Sequence, residues 1–332
     1  MKKILLMFTL LTFGMLLSNC TTVSPTGGMK TVGSYSELKK LVANGRDNIL
    51  YPKTEFDAVE NMGSSKETSK TNIQVEGIDE GDIVKVDSNR IYQIYNNRLV
   101  VTSISNEMVV LLSETLNDEE NQVYFSDLYL TNDYLVVIGQ SYFFMPHRGN
   151  LDDIAIQRPN FSEPKTMISV YDLVSLEKVK TISAPGYLNT SRLIEGKLYL
   201  FSTAYINLSE GVTDPRPYYT VNDSKVTPSY EDIYYHDDLS KEVFNMITTI
   251  SLDEDILLDY QVFLGSSGYG TIYVSKTGIY LASYQYTFNK ITNDYQEESR
   301  VFAFLFKDEG VFFGGSAAYK GYILNQFSID EY

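Results

Sequence analysis

The sequence predicts an all-β protein built from about four similar small sheets, preceded by one short helix. Three observations carry that expectation. Val, Ile and Tyr recur in short runs that alternate with polar residues, and the 332-residue chain holds 27 Tyr and no Trp. Such residues suit a pleated surface with one wet side. A strand–turn–strand pattern then returns several times along the chain. Two long polar stretches, 140–165 and 207–242, interrupt the repeats without ending them.

The chain starts with an address. Lys2 and Lys3 precede an almost unbroken apolar run from Ile4 to Leu17. That run falls short of the roughly 20 residues a bilayer span needs, and it fits the core of a signal peptide over residues 1–19. Leu17-Ser18-Asn19-Cys20 then resembles the lipobox of bacterial lipoproteins, with Asn19 where a smaller residue is usual. The resemblance implies a lipidated Cys20, a membrane anchor and an extracytoplasmic location on the bacterial envelope. Cys20 is the one cysteine, so an intrachain disulfide and a thiolate zinc cluster are both excluded. Residues 20–33 are small and polar, as a flexible tether would be.

The net charge of −16 falls to about −18 without the two leader lysines. A surface this acidic repels phosphate backbones, so nucleic acid is not an expected partner. Ser34 and Glu37 have the spacing of a capping box, and Leu38, Leu41 and Val42 fall on one helical face. A short helix is expected over 35–43, stopped by Asn44-Gly45, then a linker to residue 70.

Strands follow. Arg90–Tyr95 and Arg98–Ile104 read as a hairpin across Asn96-Asn97. The plan repeats over 128–138, 191–202 and 271–283, with turns at Thr131-Asn132-Asp133, Glu195-Gly196 and Lys276-Thr277-Gly278. A second type of strand appears at 167–173, 245–252 and 300–305. A period near 40 residues with insertions and four strands per unit is the signature of a β-propeller blade. A sandwich of irregular strands is the competing architecture.

The stretch TNIQVEGIDEGDIVKVD, residues 71–87, resembles a motif that opens the β-propeller domain of a family of secreted bacterial proteins distantly related to WD-40 repeats. Gly81 stands where Ala is commoner, and Val86 where Thr is commoner. The terminal GYILNQFSIDEY, residues 321–332, resembles a second motif of that family, in what reads as a strand-like run. The resemblance runs from about residue 34 to the end. It implies a propeller domain over 71–332 and no assigned biochemical activity. Family members continue beyond the second motif with further blades. The expectation is therefore a C-terminally shortened, incomplete propeller with unpaired sheet faces and an exposed edge. Closure of the four units into a ring would contradict it.

Candidate chemistry is sparse. Glu76, Asp79, Glu80, Asp82 and Asp87 cluster around an acidic turn and form the candidate cation site, with calcium the one candidate cofactor. Their spacing is not that of an EF-hand. The Gly-rich run 265–270 lacks the Lys-Ser/Thr end of a phosphate loop. His147 and His236 are the two histidines, both inside the insertions. Aromatics crowd those insertions: Tyr142, Phe143 and Phe144 in the first, Tyr218, Tyr219, Tyr234 and Tyr235 in the second. Loops carry recognition and Tyr is a favoured contact residue, so these are the candidate binding surface; packing as local lids is the alternative. No catalytic residue stands out. The functional expectation is a membrane-anchored interaction module for a protein, peptide or glycan. A carboxylate-based extracytoplasmic hydrolase and a nonfunctional shortened copy are the alternatives.

Overall fold

A computed structural model describes residues 28–46, 77–116, 123–141, 163–253, 255–289, 294–307 and 310–330. The leader, Cys20 and most of the expected linker lie outside the described residues. Strand β1 (Lys30–Thr31) and helix α1 (Tyr35–Arg46) come first. Ser34 Oγ accepts a hydrogen bond from the Glu37 N–H at 3.2 Å, as the capping spacing requires. The helix continues through the expected stop at Asn44-Gly45 to Arg46. Residues 28–33 are not free tether. Met29 and Val32 are buried, and β1 is hydrogen-bonded into a sheet.

Four antiparallel units follow. The first contains β3 (Val84–Val86), β4 (Arg90–Tyr95), β5 (Arg98–Ser103) and β6 (Val109–Thr115), after a two-residue strand β2 (Ile78–Asp79). Asn96 and Asn97 both have positive φ, 48° and 58°, which gives the β4–β5 turn a twist matched to its strands. The second unit contains β7 (Val123–Leu130), β8 (Tyr134–Ser141), β9 (Lys165–Asp172) and β10 (Lys178–Pro185). The third begins with β11 (Tyr187–Ile194) and β12 (Lys197–Tyr205), joined by Glu195 and Gly196 at φ 49° and 77°.

Before the third unit resumes, the second insertion forms the hairpin β13 (Tyr219–Val221) and β14 (Ser224–Val226) and then β15 (Ile233–Tyr235). The unit is completed by β16 (Val243–Ser251) and β17 (Leu257–Gly265). The fourth unit contains β18 (Tyr269–Val274), β19 (Gly278–Asn289), β20 (Asp294–Lys307) and β21 (Gly310–Lys320). Residues 321–330 form no strand, contrary to expectation. They turn back with a short 3-10 turn at Gln326–Ser328 that lies near β18.

Each sheet buries its faces on its sequence neighbours. Tyr92, Ile94, Leu99 and Val101 of the first meet Leu128, Leu135 and Val137 of the second. Val136, Ile138 and Ile182 of the second meet Leu198, Leu200 and Ile250 of the third. Phe201, Ile247 and Phe263 of the third meet Ile279, Leu281 and Phe304 of the fourth, with Phe263 and Phe304 stacked at 4.5 Å. Each such side chain contributes about 1.5–3 kcal/mol on burial. Every core between sheets joins neighbours in sequence, and among the described residues none joins the fourth sheet to the first. The described units thus form an open arc, with stacking that involves nearest neighbours alone.

The second insertion acts as a brace. Its hairpin extends the second sheet by pairing β13 with β10. Strand β15 runs parallel to β17 and extends the third, and β1 pairs on β15 in turn. Asp238 reaches the fourth sheet, 3.1 Å from Arg300 and 2.9 Å from Ser316 Oγ. Helix α1 then seats Leu38 and Val42 among Ile233, Phe244, Met246 and Val262. Truncating Leu38 to Ala should remove a fully buried side chain and lower stability by about 2–5 kcal/mol. A urea unfolding curve unchanged by Leu38→Ala would mean that α1 is not docked in solution.

Candidate functional site

The acidic stretch singled out by the sequence crosses the molecule rather than folding into a turn of its own. At Gly77 a Cβ would lie 2.9 Å from Lys276 Nζ in the β18–β19 turn of the fourth sheet. Ile78 and Asp79 then pair with Ile194 and Leu193 of β11 in the third. The Asp82 carbonyl accepts from the Leu128 N–H of β7 at 2.8 Å, in the second. Val84 begins β3 of the first. A single segment of about ten residues thus touches all four sheets, and it meets the second and third along their first strands. These edges converge there, so the first strands face the inside of the arc and the last strands its rim.

The segment's carboxylates are spent on basic partners. Lys85 Nζ is 2.7 Å from Asp79 Oδ1 and also donates to the Glu80 carbonyl at 2.7 Å. The same ammonium lies 5.7 Å from the centre of the Tyr129 ring. Arg192 of β11 is 3.0 Å from Glu80 Oε1. Both basic side chains are largely buried, so the pairs are better shielded than surface salt bridges. Asp87 serves its own turn. It accepts from the N–H groups of Asn89 and Arg90 at 2.7 and 2.8 Å and from the Tyr92 hydroxyl at 2.7 Å. Burial opposes its charge, but these bonds outweigh that and hold its carboxyl below the usual range. Glu76 lies outside the described residues. Among the described residues, no group of three or more His, Cys, Asp or Glu is placed to hold a metal ion.

A residue that the sequence reading passed over, Asp127, sits beneath this crossing. A Cβ at Gly81 would collide with its side chain, so only glycine lets the segment lie so close. Burial first, and the nearby Asp82 charge, push the Asp127 carboxyl above its ordinary value, against a hydrogen bond from Ser126. No sequence signal marks it, because its neighbours come from a segment some forty residues earlier.

Beside the crossing lies an open groove of about 460 Å³. Its floor is Ile78, Leu130 and Leu193, and its rim is Asp79, Thr131, Asn132 and Glu195. Thr131 and Asn132 come from the β7–β8 turn, Glu195 from the β11–β12 turn and Asp79 from β2, so the groove lies at one mouth of the central axis.

The aromatic candidates are not a single surface. Tyr219 is fully buried, stacked on Tyr260 at 4.6 Å, with its hydroxyl 3.0 Å from Thr248 Oγ1. It is corrected from binding residue to core. Tyr234 and Tyr235 pair with β1 and are half-buried against neighbouring cores. Tyr218 lies between Lys165 and Lys225, 4.5 and 4.0 Å from the two ammonium groups. Tyr142, Phe143, Phe144 and His147 lie outside the described residues. His236 rests on Phe313 at 4.9 Å, and its Nδ1 accepts from the Asp238 N–H at 3.2 Å.

Radially stacked four-stranded sheets around an axis, with a groove at its mouth, define a β-propeller, a fold of the interaction-module kind. The match of the Beta propeller domain family over residues 68–332 agrees, and the chain belongs to that family. It is similar to an uncharacterized protein of Archaeoglobus fulgidus, 27% identical over 220 residues. That match covers 66% of this chain and 32% of the archaeal protein, so the chain spans about a third of its relative's length. No solved structure matches.

The Asp127 environment makes a signed prediction. A carboxyl with a raised folded pKa binds more protons folded than unfolded, so stability falls as pH rises through its titration. Asp127→Asn should therefore stabilise the protein at neutral pH, with the gain vanishing below about pH 4. Melting temperatures measured across pH would show the two curves converging in acid; parallel curves would contradict the assignment.

Proposed function

We propose that the protein is an extracytoplasmic binding module, tethered to the membrane through lipidated Cys20, that engages a protein segment, peptide or glycan at the groove. The observation that carries this reading is the groove itself. It combines an apolar floor with exposed polar rim groups drawn from two successive blades, which is the make-up of a recognition site. Asp79, the rim carboxylate shared with the crossing segment, is already paired with Lys85, and Glu80 with Arg192. Such pairing fits a rim that binds through shape and hydrogen bonds rather than through free charge. The anchor is supported by the leader and Cys20 in sequence.

Two experiments test the reading. Cys20→Ala should move the protein from the membrane to the soluble fraction; retention on the membrane would refute the anchor. Asn132→Trp should fill the groove without loss of stability, since Asn132 is an exposed turn residue. A peptide or glycan array probed with both forms should give ligands that the variant loses at least ten-fold. Ligands bound equally by both forms, or substrate turnover by the unmodified protein, would overturn the reading.

A further inference from the structure

The groove is bounded by two strand edges that start together and then part. At Asp82 the crossing segment is bonded directly to β7, its carbonyl accepting from the Leu128 N–H at 2.8 Å. Four residues earlier the segment has left β7 for β11, with Ile78 and Asp79 paired to Ile194 and Leu193. The wedge that opens between Ile78 and Leu130 is the groove. Both bounding strands are the last in their sheets, β7 in the second and β2 in the third.

Strand alternation fixes what each edge presents. The Leu128 N–H leaves β7 on the groove side, whereas the Thr131 N–H turns the other way, to the Tyr134 carbonyl at 2.9 Å. Leu130, two residues after Leu128, therefore directs its N–H and C=O into the groove. On the other side, Glu195 and Gly196 form a two-residue turn with φ of 49° and 77°. Ile194 and Lys197 close such a turn by bonding to each other, so Leu193 directs its groups outward, to Asp79. Asp79 thus spends its backbone on β11, and Ile78 aims its N–H and C=O the opposite way, toward Leu130. Among the described residues, neither Ile78 nor Leu130 makes a backbone hydrogen bond on that side. Two donors and two acceptors face one another across an apolar floor.

We propose that the occupant of the groove is an extended, uncharged peptide segment that adds as a strand in the wedge, hydrogen-bonding to the backbone of Ile78 and Leu130. The inference rests on the reading of the groove as a binding site and selects one ligand class for it. Backbone groups at a strand edge are complemented at their own spacing by another strand, with alternate side chains left for the floor and the rim. The charge agrees. Asp79 is paired with Lys85, and the exposed Glu195 sits at the Gly77 end of the groove, beside the Lys276 side chain. The groove is thus close to neutral on a chain of net charge −16 and matches a neutral main chain. Its lining contains no aromatic side chain on which a sugar ring would stack.

A positional-scanning library of acetylated, amidated pentapeptides, read against the full chain by fluorescence polarisation, tests the proposal. The selected peptide should alternate apolar and polar residues, and Asn132→Trp should weaken it about ten-fold or more. Resynthesis with ester linkages at alternate positions removes N–H donors and keeps the shape. At least one of the two ester series should weaken binding about ten-fold, as the loss of main-chain hydrogen bonds requires. Glu195→Gln should leave the affinity nearly unchanged. A peptide bound equally in both ester forms, or a neutral glycan that is lost with Asn132→Trp while no pentapeptide is, overturns the strand and leaves the groove standing as a site. Peptides and glycans that all bind the Asn132→Trp protein as well as the unmodified chain overturn both.

Discussion

A short extended segment, Gly77 to Val86, lies across the converging edges of the four sheets, and the arrangement depends on it. Backbone pairing to Leu193 and Ile194, a backbone hydrogen bond to Leu128 and entry into β3 tie three sheets at their inner edge. Contact at Gly77 with Lys276 brings in the fourth. Backbone groups at a converging edge must be paired or hydrated, and the segment pairs them over the second and third sheets. The two ion pairs made by Lys85 and Arg192 let an acidic strand lie there without gathering unbalanced charge.

The faces between sheets supply most of the stabilisation, and the brace supplies connection. Sheets stacked in an arc contact only their neighbours, so loss of one interface would let the ends move independently. The insertion 207–242 counters this by hydrogen-bonding to the second and third sheets and reaching the fourth through Asp238. It also receives β1 and α1, whose buried Val32, Leu38 and Val42 outweigh the exposed Lys30–Asp237 pair beside them. A ladder of Lys39, Tyr35, Tyr230 and Arg216 closes the outer side of this seat. The described N-terminal residues thus join the rim of the propeller through a hydrophobic seat, away from the groove.

Much of the architecture was legible beforehand because hairpin chemistry is local. Asn96-Asn97 and Glu195-Gly196 adopt positive φ and set the register of their strands, so the strands predicted around them appear with small changes in boundary. Helix α1 was legible from Ser34 and Glu37 for the same reason. The site was less legible. The carboxylates at 79 and 80 looked like a pooled cation site because Lys85 and Arg192 are brought to them only by folding, the second across more than a hundred residues. Tyr219 looked like a surface aromatic because nothing nearby in sequence announces Tyr260 and Thr248. The tail at 321–330 read as strand-like, yet it turns back at Gln326–Ser328 near β18 without pairing to it.

By itself the sequence determined the class of fold, the number of repeating units, the acidity and the single cysteine, since periodicity, turn residues and composition act over a few positions each. Tertiary structure alone decided which carboxylates are neutralised, which tyrosines are core and that the insertion is a brace. Those outcomes turn on which distant strands come to lie side by side, and no local pattern of residues encodes that.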